Sequence, residues 1–109
     1  MKYNNKKTVV DNIKFDSKKE AERYLYLKTR LKMGSIKDLE LQPRFCLQEG
    51  FKKNGKTYRK ITYVADFKYY DLARKKIVVE DVKGMKTDVY KLKKKLFEKR
   101  FIELELEEI

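Results

Sequence analysis

The stretch IVVEDVKG, residues 77–84, decides the fold because its character changes halfway along its length. It begins with three apolar β-forming residues, which is typical of a strand in the interior of a sheet. It then passes through Glu80, Asp81 and Lys83 before it ends at Gly84. Charged side chains on a central strand are costly unless an ion or an opposite charge compensates them. The stretch therefore indicates a buried strand whose charged groups need a compensating partner.

The composition indicates a small basic protein. The chain has 109 residues, and we expect a single domain over residues 1–109. Lys and Arg number 29 against 17 Asp and Glu, which gives a net charge of +12. Positive charge of this density favours a polyanionic partner, with nucleic acid first and an acidic membrane surface second.

Several classes of protein are excluded by what the sequence lacks. It contains neither the ~20 consecutive apolar residues of a transmembrane helix nor the apolar core of a signal peptide. The single cysteine, Cys46, cannot form an internal disulfide, so we expect a cytoplasmic protein with no membrane partner. With no histidine and only one cysteine a zinc site is not expected, and any metal ion would be a hard cation held by oxygen.

Hydrophobic periodicity predicts two helices, over residues 16–34 and 86–100. Thr87 or Asp88 is the expected cap of the second helix. The side chains predicted to be buried are Ala21, Tyr24, Leu25, Leu27 and Leu31 in the first helix, and Val89, Leu92 and Leu96 in the second. The lysines of the second helix would then lie on its solvated side, where they are free to contact phosphates.

The remaining segments predict strands. Residues 8–15 form a short strand or hairpin, residues 35–45 a connector, and Asn54-Gly55 the tip of a hairpin. The main strands are predicted over residues 44–51, 57–71, 77–83 and 101–108, and the last of these buries Ile102, Leu104 and Leu106. A helical crossover makes the last strand parallel to residues 77–83. The order α-β-β-β-α-β predicts the α+β (α/β) class, with a mixed central sheet flanked by helices.

Strand alternation brings a set of charged residues together. Asp81 and Lys83 point to one face of their strand and Glu80 points to the other. Counting back from the turn at residues 71–76 places Asp66 of the neighbouring strand level with Asp81. Two carboxylates and an ammonium group would meet there, and a divalent cation compensates such a pair of carboxylates. Lys83 can then orient a water molecule and stabilise the charge that grows on a phosphate.

An acid on one strand, followed by acid-x-Lys on the next within this element order, resembles the PD-(D/E)XK nuclease superfamily. Asp66, Asp81 and Lys83 carry the motif here, although Ala65 stands where the pattern has proline. The chain resembles still more closely a family of small phage-encoded proteins of that superfamily. The matching segments, in order, are KKEAERY (18–24), LQPRF (41–45), YVADFKYYD (63–71), VVEDVKG (78–84) and KTDVYKLKKK (86–95).

The resemblance implies a restriction-endonuclease-like αβββαβ core and a magnesium- or manganese-dependent endodeoxyribonuclease. It implies a Holliday-junction resolvase for branched DNA, encoded by a phage or prophage, acting in recombination as a homodimer in the bacterial cytoplasm. The catalytic residues it implies are Glu20, Asp66, Asp81 and Lys83, and the metal ligands are Glu20, Asp66, Asp81 and the carbonyl of Val82. The resemblance and the charge pattern together suggest four residues for DNA contact, which are Gln42, Lys86, Lys93 and Lys94.

Each assignment has an ordinary alternative. Glu20 stands three residues after Ser17 and completes a capping box. Asp66 could be a satisfied polar residue at a β-bulge, and Asp81 with Lys83 a surface ion pair on an edge strand. Gln42 could be a turn amide rather than a group near the metal.

Glu80 raises a separate question because it directly precedes Asp81. By strand alternation it is a partner for some Lys or Arg, or an outer residue of the site, although a β-bulge would exchange the faces of the two acids. The alternative function is a non-catalytic basic DNA-binding accessory protein of a phage. It explains the positive charge equally well but not the carboxylates, which repel phosphates.

Overall fold

The computed structural model describes residues 6–109 and confirms an α+β fold. Its helices are α1 (Lys18–Lys32) and α2 (Asp88–Arg100). Its strands are β1 (Thr8–Val10), β2 (Ile13–Phe15), β3 (Ile36–Leu41), β4 (Arg44–Gln48), β5 (Phe51–Lys53), β6 (Lys56–Tyr58), β7 (Ile61–Val64), β8 (Phe67–Asp71), β9 (Lys76–Asp81) and β10 (Glu105–Glu108). Among these elements, neither helix is long and apolar enough to cross a membrane.

The central sheet is mixed, as predicted. It has four strands in the order β10-β9-β8-β3, and β10 runs parallel to β9 while the other neighbours are antiparallel. Val78 and Val79 of β9 point into two different cores. Val78 packs with α1 residues such as Leu27, and Val79 packs with α2 residues such as Phe97. The two helices therefore cover opposite faces of the sheet, and the sheet separates the two cores.

Strand β3, the first strand of the central sheet in chain order, was not predicted from the sequence. Residues 35–45 were expected to form a connector, but β3 occupies most of that segment and pairs with β8. Its pattern is hard to recognise because the pairing register shifts between Lys37 and Glu40, and Asp38 has a φ of 57°. That irregularity interrupts the period-two alternation by which strands are recognised. The helices and the central-sheet strands still follow the predicted order α-β-β-β-α-β, as α1, β3, β8, β9, α2 and β10. In this order β3 takes the position that was expected for residues 44–51.

The long strand predicted over residues 57–71 is divided into β6, β7 and β8. The break between β7 and β8 is a corner at Asp66, and hydrogen bonds hold both sides of it. The amide of Gln42 donates to the carbonyl of Asp66 (2.9 Å), and the amide of Ala65 donates to that of Pro43 (3.1 Å). Gln42 has a φ of 51° and Pro43 has no amide hydrogen, so the facing chain bends at the same place. Strands β4 and β7 consequently leave the central sheet as a separate ribbon.

The buried side of α2 differs from the prediction. Val89 and Leu92 were expected in the core, but they are 63% and 60% exposed. The buried residues of α2 are Tyr90 and Phe97, which lie seven residues apart on one side of the helix. Phe97 is fully buried and packs edge-on against Phe45 of the ribbon at 4.9 Å between ring centroids. Aromatic rings bury more area than Val or Leu, and this contact sets the rotation of the helix.

Three other residues predicted to be buried are also exposed. Leu25 and Leu31 lie toward solvent on α1, where Ala21, Tyr24 and Leu27 form the buried side as expected. Ile102 lies in the turn before β10, which begins only at Glu105, and is exposed because it precedes the paired part of the strand. Of the alternating residues in this segment, Leu106 is buried and Leu104 packs at the edge of the same core.

The predicted hairpins are confirmed. Strands β1 and β2 pair antiparallel, and so do β5 and β6 around Asn54-Gly55. Both turn residues have positive φ, 50° and 76°, which matches the right-handed twist of the paired strands. The residues Phe51–Tyr58 of this second hairpin are all exposed, and the molecule is elongated, with extents of 54 × 37 × 23 Å.

The rotation of α2 can be tested by stability measurements. Phe97→Ala should lower the free energy of unfolding by about 3–5 kcal/mol because it empties a fully buried site. Leu92→Ala should change it by less than about 0.5 kcal/mol because Leu92 is exposed. Urea unfolding followed by circular dichroism measures both. A Leu92→Ala variant as unstable as Phe97→Ala would mean that α2 presents its other side to the sheet.

Candidate functional site

A cleft of about 470 Å³ opens at one end of the central sheet. Four segments meet there: the first turn of α1, the bend after β3, the corner between β7 and β8, and the chain between β9 and α2. The residues of these segments that matter below are Ser17, Lys19, Glu20, Gln42, Asp66, Val82, Lys83 and Thr87. Ser17 and Thr87 are the N-caps of the two helices, so both helix N-termini border the cleft.

Asp66 lies at the corner of the sheet and is held from several sides. Its amide donates to the carbonyl of Glu80 (3.0 Å), and its Oδ2 accepts the amide of Val82 (2.6 Å). Burial raises the pKa of the Asp66 carboxyl to about 7, the Val82 amide opposes that rise, and the nearby Glu20 adds to it. Asp66 is therefore a carboxyl group whose ionised form is poorly compensated by the protein itself.

Asp81 lies level with Asp66, as predicted, because Phe67 pairs with Glu80 in the β8–β9 ladder. It is 2% exposed and is not among the residues that line the cleft. The hydroxyl of Tyr63 donates to its Oδ2, and Lys83 Nζ lies 3.2 Å from its Oδ1. Burial raises the pKa of Asp81 to about 6 despite the Tyr63 hydrogen bond, and the charge of Asp66 raises it further.

Lys83 is held between a carboxylate and an aromatic ring. Its ammonium group contacts Asp81 and lies 4.4 Å from the ring centroid of Tyr90. The hydroxyl of Tyr90 donates to Glu108 Oε2 at 2.7 Å, which connects this part of the site to β10. The two carboxylates and the ammonium group expected from the sequence are thus brought together, with Asp81 already partnered.

Glu80 points to the opposite face of the sheet, as strand alternation predicted. Arg23 of α1 donates Nε to its Oε1 (2.8 Å) and Nη2 to its Oε2 (2.6 Å), and the hydroxyl of Tyr69 also donates to Oε2 (2.5 Å). Glu80 is fully buried. The prediction that an Arg or Lys would be its partner is confirmed, and no bulge exchanges its face with that of Asp81. Glu80 joins α1 to the sheet rather than facing the cleft.

Glu20 and Gln42 both line the cleft. The alternatives, a capping box that includes Glu20 and a turn position for Gln42, also hold in part. The hydroxyl of Ser17 accepts the amide of Glu20 at 3.1 Å, so Ser17 caps α1. The Glu20 carboxylate is nearly buried and lies close enough to Asp66 to raise its pKa. Gln42 occupies a turn position with positive φ and is exposed at the cleft.

The lysines suggested for DNA contact have partners within the protein. Lys86 and Lys94 pair with Glu108 at 2.9 and 3.3 Å, and Lys93 donates to the carbonyl of Thr62 at 2.9 Å. None of the three is among the residues that line the cleft, although Lys86 lies between Met85 and Thr87, which do line it. No local pattern predicts these contacts, because Glu108 is far along the chain from Lys86 and Lys94 and reaches them through the parallel pairing of β10, while Thr62 is 31 residues from Lys93.

Sequence reasoning missed three residues that shape the site. Lys19 lines the cleft beside Glu20, Tyr63 donates to Asp81, and Arg23 is the partner of Glu80. Tyr63 carries only a general signal, because a buried tyrosine hydroxyl requires a hydrogen-bond partner but its partner, Asp81, lies 18 residues away. Arg23 carries a weaker signal, since it lies one helical turn after Glu20 on the same side of α1.

The acidic residues suit a hard cation in their chemistry. The donors at hand are carboxylate oxygens of Glu20, Asp66 and Asp81, which are the ligands that Mg²⁺ and Mn²⁺ prefer. The raised pKa values of both aspartates reflect burial and charge crowding, which a cation would relieve. Within residues 6–109, however, no three His, Cys, Asp or Glu side chains converge as a ready-made metal site. Asp81 instead directs its oxygens to Tyr63 and Lys83.

Comparison with known proteins yields one match. The model of a family described as "Protein of unknown function (DUF1064)" matches residues 1–109. No curated protein and no solved structure matches the chain.

The carboxylates at the cleft predict an unusual dependence of stability on pH. The pKa of Asp66 is about 7 in the folded protein against 3.8 ordinarily, so between these values the folded state binds a proton that the unfolded state has released. Without metal, the free energy of unfolding should therefore fall as the pH rises from about 4 to about 7, by about 1–3 kcal/mol after solvent screening. Asp71 and Glu108 do not obscure this range, since their pKa values are lowered to about 2.

Urea unfolding in EDTA across this range measures the effect. Asp66→Asn should reduce the pH dependence, because the amide cannot ionise, and Asp81, whose pKa is raised chiefly by burial, should retain the remainder. Glu98→Gln, a substitution at an exposed position of α2, should retain the wild-type profile. A wild-type profile that is flat or rises with pH would contradict the assignment of a crowded, buried carboxyl group.

Glu80 should act on stability and not on the cleft. Glu80→Gln removes the charge that faces Arg23 and should lower the free energy of unfolding by about 2–4 kcal/mol. Glu22→Gln, at an exposed position one residue before Arg23, should change it by less than about 0.5 kcal/mol. Thermal and urea unfolding at neutral pH provide the comparison, and equal stability of the two variants would rule out a structural role for the Glu80–Arg23 pair.

Proposed function

We propose that this chain, which belongs to the family described as "Protein of unknown function (DUF1064)", is a metal-dependent DNA endonuclease. The observation that carries the proposal is the group formed by Asp66 and Lys83, which line an open cleft, and Asp81, which is buried behind them and contacts Lys83. Two carboxyl groups with raised pKa values, one buried and one half-buried, beside one ammonium group are typical of a site that performs chemistry rather than one that only supports the fold.

Each residue has a role that follows from its position. Glu20, Asp66 and Asp81, with the carbonyl of Val82, would hold a Mg²⁺ or Mn²⁺ ion. Such an ion supplies a Lewis acid for the phosphodiester and lowers the pKa of a water molecule. Lys83, 3.2 Å from Asp81, is the cation that would donate hydrogen bonds to a phosphate oxygen as negative charge develops on it.

The surroundings of the cleft suit an anionic polymer. The chain carries a net charge of +12, and Lys19 stands at the edge of the cleft. The N-termini of α1 and α2 border the cleft, where unpaired amides and the helix dipoles favour negative charge. Gln42 is exposed there and is the residue best placed to contact a sugar or base.

We further propose branched DNA as the substrate, in the manner of a Holliday-junction resolvase. Symmetric cleavage of a four-way junction requires two active sites, so the working form would be a homodimer. A protein of phage or prophage origin that acts in DNA recombination in the bacterial cytoplasm fits this substrate.

One observation favours the alternative, a non-catalytic DNA-binding protein. Asp81 is already partnered by Tyr63 and Lys83, and in that arrangement Asp81 and Lys83 form a satisfied ion pair. This alternative shares the basic charge and the cleft. It differs in one testable respect, since it needs no divalent cation.

The proposal is tested with labelled four-way junction, flap and linear duplex in Mg²⁺, Mn²⁺ or EDTA. Wild-type protein should cut the junction with Mg²⁺ or Mn²⁺ and leave it intact in EDTA. Asp81→Asn and Lys83→Ala should each lower the cleavage rate by about 100-fold or more, because each removes a group that acts on the developing charge.

The matched controls are Glu98→Gln and Lys95→Ala, which make similar changes at exposed positions of α2 and should retain activity. Circular dichroism and melting temperature establish that all variants are folded. Cleavage of all three DNAs would retain the nuclease and reject branch specificity. Binding without cleavage under every metal would reject the nuclease and establish the DNA-binding alternative.

A further inference from the structure

The hairpin of β5 and β6, here called the arm (residues 50–60), stands apart from the rest of the fold. Its strands pair with each other in a sheet of their own. Every residue of the arm is exposed, including Phe51 and Tyr58. It contributes no residue to either core. The arm therefore does not stabilise the fold, and its shape and charge require another explanation.

The arm is strongly and uniformly basic. It contains five positively charged residues and no acidic one. These residues are Lys52, Lys53, Lys56, Arg59 and Lys60. On a surface this narrow, like charges repel one another, which is unfavourable unless an anionic partner lies against them.

The arm is also stiff. The rings of Phe51 and Tyr58 face each other across the two strands and stack at 4.8 Å between centroids, with 12° between their planes. At the base, a β-carbon on Gly50 would lie 2.9 Å from the carbonyl oxygen of Tyr58 and 3.2 Å from the amide nitrogen of Lys60. Only glycine allows the two strands to approach so closely there. The cations are thus presented on a preformed ribbon, which reduces the entropy lost on binding.

The arm lies at the far end of the β4–β7 ribbon from the cleft. One end of that ribbon, the pair Arg44–Val64, adjoins the cleft through Val64. The other end, the pair Gln48–Ile61, leads directly into the arm. A partner that contacts both places must be long, which is true of a DNA duplex.

We propose that the arm is a second DNA-contacting surface that binds the phosphate backbone of duplex DNA away from the cleft. A two-stranded β-ribbon is narrow enough to enter the major groove of B-DNA, where its lysines lie near phosphates of both strands. The choice of DNA as partner rests on the proposed function. A second copy of this chain is a poor partner for the arm, since two arms of five positive charges repel each other.

The test is binding of a labelled duplex of about three helical turns in EDTA, measured by fluorescence anisotropy at several salt concentrations. The arm variant carries Lys52→Glu, Lys53→Glu and Lys56→Glu. Its control carries Lys6→Glu, Lys32→Glu and Lys75→Glu, which change the net charge equally at exposed positions outside the arm and the cleft. The arm variant should bind at least 10-fold more weakly, and its salt dependence should be shallower by about 2–3 in log–log slope, since each phosphate contact contributes about 0.9.

The control variant should lose less than about 3-fold in affinity. Equal losses in the two variants would reject the proposal, because binding would then depend on net charge alone. Unchanged affinity of the arm variant would also reject it. So would a wild-type dimer that the arm variant turns into a monomer in analytical ultracentrifugation, because the arm would then contact a second copy. A variant with Lys→Gln at the same three positions avoids new repulsion within the hairpin and should show a smaller loss in the same direction.

Binding in EDTA does not depend on cleavage, so the arm and the nuclease can fail separately. If the wild-type protein cuts DNA, the arm variant should raise KM for a duplex-containing substrate and leave kcat unchanged. Hydrolysis of bis(p-nitrophenyl) phosphate, which is too small to reach the arm, should be the same in both proteins. A lower kcat of the arm variant on the small substrate would mean that the arm substitutions disturb the cleft. That result would reject the claim that the arm and the cleft act separately.

Discussion

The hydrogen bonds around Asp66 are the constraint on which the rest of the structure depends. Its carbonyl accepts the amide of Gln42, its amide donates to Glu80, and its carboxylate accepts the amide of Val82. One residue thereby ties the bend after β3, the corner between β7 and β8, and the chain that leaves β9. Without the corner, β7 and β8 would continue as one strand, the ribbon would not diverge, and the cleft between these segments would not exist.

The central strand β9 divides two tasks between neighbouring acids. Glu80 meets a guanidinium and a tyrosine hydroxyl on the α1 side, so its charge is satisfied and joins helix to sheet. Asp81 lies on the α2 side beside Asp66, where the Lys83 ammonium group and the Tyr63 hydroxyl both contact Asp81 and the two carboxyl groups are crowded. Because strand alternation alone sends the two acids to opposite faces, a single strand both anchors the fold and provides the candidate chemistry.

The distribution of charge in the protein is consistent with this division. Three acidic residues, Asp16, Glu20 and Asp66, line the cleft of a chain whose net charge is +12, while many basic residues stand on outer surfaces such as the arm. Two lysines, Lys86 and Lys94, instead pair with Glu108 on β10. The basic surface available to a polyanion is therefore set by which lysines have internal partners, and not by their number in the sequence.

The sequence by itself determined the features that depend on neighbours along the chain: the helix caps at Ser17 and Thr87, the Asn54-Gly55 turn, the alternation of Glu80 and Asp81, and the parallel last strand. Only the tertiary structure decided that residues 36–41 are a sheet strand, that the chain bends at Asp66, and that α2 buries Tyr90 and Phe97. It also assigned Arg23 to Glu80, 57 residues away. The physical reason is the range of the interactions. Helix caps, turns and strand alternation act over a few residues along the chain. Strand pairing, aromatic packing and ion pairs join distant segments, and no local pattern encodes the proximity of those segments.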